Sequence, residues 1–457
     1  MTTTPWPATA RRCASGGLAV GNVDLRELVR TYPTPVYVVD EADMRERARS
    51  FVKAFAEAAS DVGTSVSVYY AGKAFLCRTV ARWMHAEGLR LDTASLGELT
   101  TALSAGIPGA DIGLHGNNKS DAEIELALRS GVGRIVLDSL PEVTRVADAA
   151  ARLGVRAPVM VRLTTGVHAG GHEYIATAHE DQKFGLSIHA HAASEAAGSA
   201  FPDSPAMQAL LAVTARPELE LLGLHSHIGS QILDSAGFVA AAEAVLEVRA
   251  DLARRTGVEV GEIDLGGGFG VAYLPGEVDL DPGAIARTLC SAVRAGADRD
   301  GMSMPALSIE PGRAIAAPAG ITLYTVGTVK PVQLPDGGTR TYVSVDGGMS
   351  DNIRPALYGA VYHAELAGRT STAPSVLARV VGKHCESGDI VVHDVQLPAD
   401  IAPGDLLAVP VTGAYGRSMA SQYNLVPRPG VVAVADGVAT PLVRAETVED
   451  VLALDLG

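Results

Sequence analysis

Val66-Ser67-Val68-Tyr69-Tyr70-Ala71-Gly72-Lys73-Ala74 is an alternating, β-branched apolar run that closes on a glycine and a lysine. A run of this kind reads as a buried strand. Gly72 lets the backbone turn and delivers Lys73 to the strand's C-terminal end. A lysine there is either a solvated strand terminus or a reactive amine held in a pocket. The stretch alone favours the solvated reading, because lysine usually stays exposed.

The surrounding chain repeats the pattern. Upstream, Pro35-Val36-Tyr37-Val38-Val39-Asp40 is a short strand, and Asp40 caps a helix that runs through Met44, Ala48, Phe51 and Phe55. Downstream, helices predicted over 75–87, 96–105, 121–129 and 141–153 alternate with short strands at 89–92, 112–115, 134–138 and 158–163. Later strands fall at 221–225, 263–265 and 307–310. About eight βα units in roughly 270 residues predict an α/β fold, a closed (β/α)8 TIM-like barrel rather than an open doubly wound sheet. Lys73, Asp92, His115, Arg162, His225 and Glu310 stand at strand ends, so the barrel would gather them on the rim where this fold carries its chemistry.

Past residue 315 the helices give way to β-rich runs at 321–326, 341–345 and 406–409, separated by Gly, Pro and Asp turns. These predict a second, all-β domain of sandwich or barrel type. The expected division is an N-terminal segment, 1–38, that joins the β domain, a barrel over 39–314, and a C-terminal β domain over 315–457. The stretch 187–206 breaks the barrel rhythm and reads as a loop-like insertion.

Composition narrows the function. The 457 residues are 47% hydrophobic and 19% charged, which suits an enzyme with a large core. A net charge of −15 opposes nonspecific binding to nucleic acid or to an anionic membrane, so any anion site must be a local group of arginines. Cys13, Cys77, Cys290 and Cys385 are scattered without a CxxC pair, which argues against a disulfide framework or a cysteine zinc site. No run approaches the ~18 apolar residues that a membrane span needs. A cytoplasmic protein is expected.

Four motifs remain ambiguous one at a time. In His225-Ser226-His227-Ile228-Gly229-Ser230-Gln231 no acid or cysteine stands at metal-ligand spacing, so no metal is expected; an imidazole here can stack on an aromatic ring, and Ser230 can meet a phosphate. Gly266-Gly267-Gly268-Phe269-Gly270 follows a strand without dinucleotide-binding spacing, and is either a tight turn or an anion cradle of backbone N–H groups. Glu310-Pro311-Gly312-Arg313 is a salt bridge or a site. Cys385-Glu386-Ser387-Gly388-Asp389 holds a cysteine among acids and glycine, which reads as loop-borne and accessible.

Taken in order, these motifs resemble the fold-type III pyridoxal 5'-phosphate-dependent decarboxylases, in particular the branch acting on meso-diaminopimelate. The likeness also takes in His172-Glu173-Tyr174-Ile175, Asp181-Gln182-Lys183-Phe184-Gly185, Asp346-Gly347-Gly348-Met349-Ser350-Asp351-Asn352-Ile353-Arg354-Pro355 and Gly413-Ala414-Tyr415, so it spans nearly the whole chain. It implies that Lys73 holds the cofactor as a Schiff base, which asks for an amine shielded from water. It implies that Asp92 orients Lys73, that Gly266, Gly267, Gly268, Ser230 and Tyr415 bind the phosphate, and that His227 stacks on the ring. Glu310 would keep the ring nitrogen protonated, with Gly312 and Arg313 completing the cofactor site. Cys385 would be the general acid. Arg313, Arg354, Tyr358, Tyr415 and Glu386 would bind the substrate, arginine because it grips a carboxylate with two donors. The family also implies a homodimer with shared active sites, Cys385 and Glu386 reaching in from the partner, and a product, L-lysine. Decarboxylases of ornithine, arginine or a carboxylated polyamine are the nearest alternatives, and a non-catalytic relative that keeps the fold is a more distant one. The chain departs from the family at Gly416-Arg417, where many members carry a cysteine and an aromatic residue.

Overall fold

The computed structural model describes residues 5–167, 182–189 and 204–457. The motif at 172–175, Asp181 and most of the 187–206 insertion lie outside the described residues. By density of contacts the chain forms two units, one of Ala48–Gly270 with Leu280–Gly312, the other of residues up to Arg47, Val271–Asp279 and Arg313–Gly457.

The first unit is a closed barrel of eight parallel strands. Val66–Ala71, Arg90–Thr93, Ile112–Leu114, Arg134–Leu137, Ala157–Thr164, Leu219–Ser226, Glu262–Asp264 and Ala306–Ile309 pair in chain order. The last strand returns to the first with Leu307, Ser308 and Ile309 opposite Val66, Ser67 and Val68. Tyr69 and Tyr70 are both buried, as a strand covered on both faces requires. A short extra strand, Leu186–Ser187, pairs with the end of Ala157–Thr164.

Local chemistry starts and stops the helices that connect these strands. Ser120 and Glu123 form a capping box at the head of Asp121–Ser130, which ends on Gly131 in the left-handed conformation. Ser95 caps Leu96–Ser104, and Asp281 with Pro282 opens Pro282–Arg299. The barrel's interior is partly ionic. Arg134, 2% exposed, donates to Asp264 Oδ2 at 3.1 Å, to Glu262 Oε1 at 2.6 Å and to Ser308 Oγ at 3.0 Å. Its guanidinium also lies 4.2 Å from the centre of the Tyr69 ring.

The second unit is mainly β. Its largest sheet includes Val36–Asp40, which pairs antiparallel with Gly320–Gln333 and parallel with Gly430–Ala435. One cluster of buried side chains contains Tyr324, Val343, Tyr362, Val380 and Val409, and another contains Leu18, Val38, Ile321 and Val434.

Phe269 follows the glycine turn and is held in the barrel unit by rings from two helices. It stacks on Phe238 with centroids 5.1 Å apart and tilts against Phe51 at 5.3 Å. Phe269→Ala is expected to cost about 3–5 kcal/mol through lost burial and the cavity left behind. The check is the urea midpoint of the holoenzyme followed by far-UV circular dichroism, and an unchanged midpoint would deny the ring cluster that role.

Candidate active site

The polar strand ends meet. Lys73, Asp92, His115, Arg162, His225 and Glu310 all line one cavity of ≈ 540 Å³ at the barrel rim, together with His227 and Ser230. Lys73 and Glu310 become neighbours because their strands are the pair that closes the barrel. The pairing continues past the strands, where Ala71 N–H donates to Pro311 O at 3.2 Å. Gly312 is required for that approach, since a Cβ there would lie 2.9 Å from Ala71 Cβ.

Glu310 is the electrostatic centre. It is buried, with Oε1 3.1 Å from His115 Nε2 and 3.3 Å from His225 Nε2. Burial alone would raise the carboxyl's pKa, but the two imidazoles hold it well below the usual carboxylate range. His115 Nε2 also lies 3.3 Å from Asp92 Oδ1. Burial works against the His115 cation, but Asp92 and Glu310 outweigh it and raise its pKa. Asp92 is pushed up to about 6, chiefly by burial. His225 is driven down to about 4 by burial, which leaves it a neutral ring at neutral pH.

His227 is neutral for the same reason, burial holding it well below its ordinary value. Its Nδ1 accepts the Gly267 N–H at 3.1 Å, and the Gly266 N–H is donated to Asp264 Oδ1 at 2.8 Å. Two of the three amides expected to cradle a phosphate are therefore already engaged in shaping the turn. Lys73 lies at the cavity with its side chain exposed.

Pyridoxal phosphate fits this set of groups. Although both imidazoles stand within 3.3 Å of it, buried Glu310 Oε1 accepts no aligned hydrogen bond, so a carboxylate held ionised can accept from an N–H donor such as a protonated ring nitrogen. Lys73 supplies a primary amine, His227 a flat neutral ring and Ser230 a hydroxyl. His115, His225 and Glu310 also present ligand atoms within 4.8 Å of one another, as a consequence of the same cluster.

The remaining predicted residues lie in the second unit. Arg354, buried, donates to Tyr273 Oη at 2.6 Å and to Tyr362 Oη at 3.1 Å. Arg313 donates to the same Tyr273 hydroxyl. Tyr415 lies 4.8 Å below the Arg313 guanidinium and 5.7 Å from that of Arg354. Tyr358, Cys385 and Glu386 are exposed, outside this cluster. Arg417 takes no part in it either; burial lowers its pKa and its Nε has no hydrogen-bond partner. Tyr273, which joins both arginines, was missed from sequence because it stands in a short irregular segment, far from either partner along the chain. The one available signal was an aromatic hydroxyl in a segment without helix or strand period.

The family described as "Pyridoxal-dependent decarboxylase, pyridoxal binding domain" matches residues 41–317. The chain is similar to the diaminopimelate decarboxylase of Mycobacterium tuberculosis, 48% identical over 455 residues that cover 99% of this chain and 97% of that protein. Its identity to the diaminopimelate decarboxylase of Bacillus subtilis is 43%, covering 98% of this chain and 97% of that one. The crystal structure of the M. jannaschii diaminopimelate decarboxylase in complex with L-lysine superposes with a TM-score of 0.87 at 28% identity, covering 99% of this chain and 98% of that one.

The buried neutral His225 makes the fold sensitive to acid. Its folded pKa, about 4, lies below its ordinary value of 6.5, so between those values the unfolded chain takes up a proton that the native state refuses. Stability from this residue is intact above pH 6.5 and falls by up to about 3 kcal/mol as pH approaches 4. Urea midpoints measured across that window should fall less steeply in His225→Gln than in the wild type; parallel curves would contradict the assignment.

Proposed function

The chain belongs to the pyridoxal-dependent decarboxylases, and on that basis we propose that it converts meso-2,6-diaminopimelate to L-lysine and carbon dioxide, the last step of lysine biosynthesis. The observation that carries the reaction class is Glu310, a buried carboxylate kept ionised beside two histidines, one oxygen of which accepts no aligned hydrogen bond. A carboxylate there favours a protonated ring nitrogen and so a strong electron sink; an arginine would weaken it. Relatives of that name at 43–48% identity support the substrate.

Bound pyridoxal phosphate supplies the sink for the electron pair left when an α-carboxylate departs as carbon dioxide. The protein's part is to hold, orient and protonate. Lys73 anchors the cofactor and Asp92 orients that amine. Glu310 holds a proton on the ring nitrogen, while the neutral His227 stacks without adding charge. Gly268, Ser230 and Tyr415 take the phosphate, and Gly266 and Gly267 shape the turn through their bonds to Asp264 and His227.

Substrate selection falls to Arg313 and Arg354. Their shared bond to Tyr273 supports two guanidinium groups prepared for one distal carboxylate, a group that ornithine and arginine lack. Tyr358 assists them and Glu386 takes the distal ammonium. Cys385 returns a proton to the carbon that lost its carboxylate. The exposure of Cys385, Glu386 and Tyr358 supports a homodimer in which these residues serve the partner's site. In functional terms residues 1–38 act with the β domain at 315–457, and 39–314 is the cofactor-binding barrel. No described helix is long and apolar enough to cross a membrane. A reaction on a free amino acid supports a cytoplasmic enzyme.

Purified protein saturated with pyridoxal phosphate should release carbon dioxide from meso-diaminopimelate and form lysine. Release from ornithine but not from meso-diaminopimelate would sink the substrate assignment. Lys73→Ala should lose the borohydride-reducible chromophore. Cys385→Ala should keep it while kcat falls by about 100-fold, the scale of general acid catalysis.

A further inference from the structure

The loop that carries Cys385 is fixed by its other neighbour. His384 is 8% exposed although Cys385 beside it is open to solvent. Both ring nitrogens are engaged: Nδ1 lies 3.1 Å from Asn424 Oδ1 and Nε2 2.8 Å from Ser350 Oγ. Asn424 Oδ1 also accepts the Cys385 backbone N–H at 3.4 Å. An oxygen that accepts from that amide accepts from the ring as well, which sets the tautomer: Nδ1 carries the proton and Nε2 receives the Ser350 hydroxyl proton. Asn424 presents this oxygen from a left-handed backbone at φ +54°, and Tyr423 covers the imidazole with its centroid 5.3 Å away.

Asp389 closes the loop from the other side. Its carboxylate accepts the His384 N–H at 2.8 Å and the Met349 N–H at 2.6 Å. A Cβ at Gly382 would stand 2.2 Å from Asp389 Oδ2, so only glycine admits the carboxylate there. Lys383 N–H donates to Gly347 O at 3.0 Å, and Ser421 N–H to Ser350 O at 2.8 Å. The loop bearing Cys385 is thereby joined to the 346–352 turn that leads into Arg354–Tyr358. The proton donor and the carboxylate-binding arginine stand on one hydrogen-bonded frame, and His384 is the side chain that links three of its parts.

We propose that His384 is a positioning residue for Cys385: through Asn424 and Ser350 it fixes where the thiol is presented to the reacting carbon. The inference rests on the reading of Cys385 as general acid. It assigns His384 no contact with substrate. The bond to Asn424 matters most, because Asn424 Oδ1 holds the ring and the Cys385 amide together.

The test compares holoenzyme variants by kcat and KM for meso-diaminopimelate and by the rate at which iodoacetamide alkylates Cys385, followed by mass spectrometry. His384→Phe keeps the ring against Tyr423 but makes neither bond. It should lower kcat about tenfold with KM within about twofold, and change alkylation of Cys385 at least about threefold, as a loosened general acid would. Asn424→Ala should do the same. His384→Asn keeps a donor near the Nδ1 position and should restore kcat to within about threefold of wild type. Wild-type kcat and wild-type alkylation in His384→Phe would overturn the proposal, and so would a His384→Asn variant no better than His384→Phe. If Cys385→Ala itself turns over normally, the general-acid reading falls, and the alkylation rates alone still decide whether His384 holds the loop.

Discussion

Everything at the rim depends on the closing of the barrel. The strand Val66–Ala71 must pair with Ala306–Ile309, two segments separated by most of the unit's length, before Lys73 and Glu310 share a cavity. The alternation of helices and strands supplies the elements, but this one pairing converts a sheet into a ring. It is also where a small residue matters: a Cβ at Gly312 would lie 2.9 Å from Ala71 Cβ and press on the strand ends. Lys73 and Glu310 are thus brought together by backbone register.

The ring in turn makes Glu310 useful. A lone carboxylate so deeply buried would take up a proton, and a protonated acid could not keep a ring nitrogen charged. His115 and His225 prevent that, each within 3.3 Å of Oε1. They do so unequally. His115 has Asp92 as a second carboxylate neighbour and is stabilised as a cation, whereas His225 lacks that neighbour and stays neutral. An enzyme with a net charge of −15 therefore keeps this buried anion with one local cation, and needs no general positive field.

Much of this was legible in the chain. The strand-end rule identified Lys73, Asp92, His115, Arg162, His225 and Glu310 as one rim, because parallel strands in a barrel all bring their C-terminal ends to the same side. What periodicity could not show was partnership. The glycine turn read as three open amides, but the sequence does not reveal that Asp264 and His227 already hold two of them. Gly312 read as part of a motif, but the sequence does not show that a Cβ there would lie 2.9 Å from Ala71 Cβ. Tyr273 and His384 carry no periodic signal, and their roles rest on hydrogen bonds to residues remote in the chain. The exposure of a rim residue such as Lys73 depends on the cavity's shape, which no local pattern encodes.

The two units also divide the labour along physical lines. Groups whose protonation must be fixed, such as Glu310 and His227, sit on barrel strand ends, where burial moves a pKa by desolvation. The arginines proposed to recognise a charged substrate face the opposite demand, since a fully desolvated arginine without a partner would cost more than it returns. Arg313 and Arg354 meet that demand with tyrosine hydroxyls as partners in place of carboxylates. A hydroxyl satisfies the guanidinium's donors without cancelling its charge, so the attraction for an incoming carboxylate survives. An aspartate in place of Tyr273 would stabilise the pair of arginines and abolish their use. The phenol is the compromise between a satisfied cation and an available one.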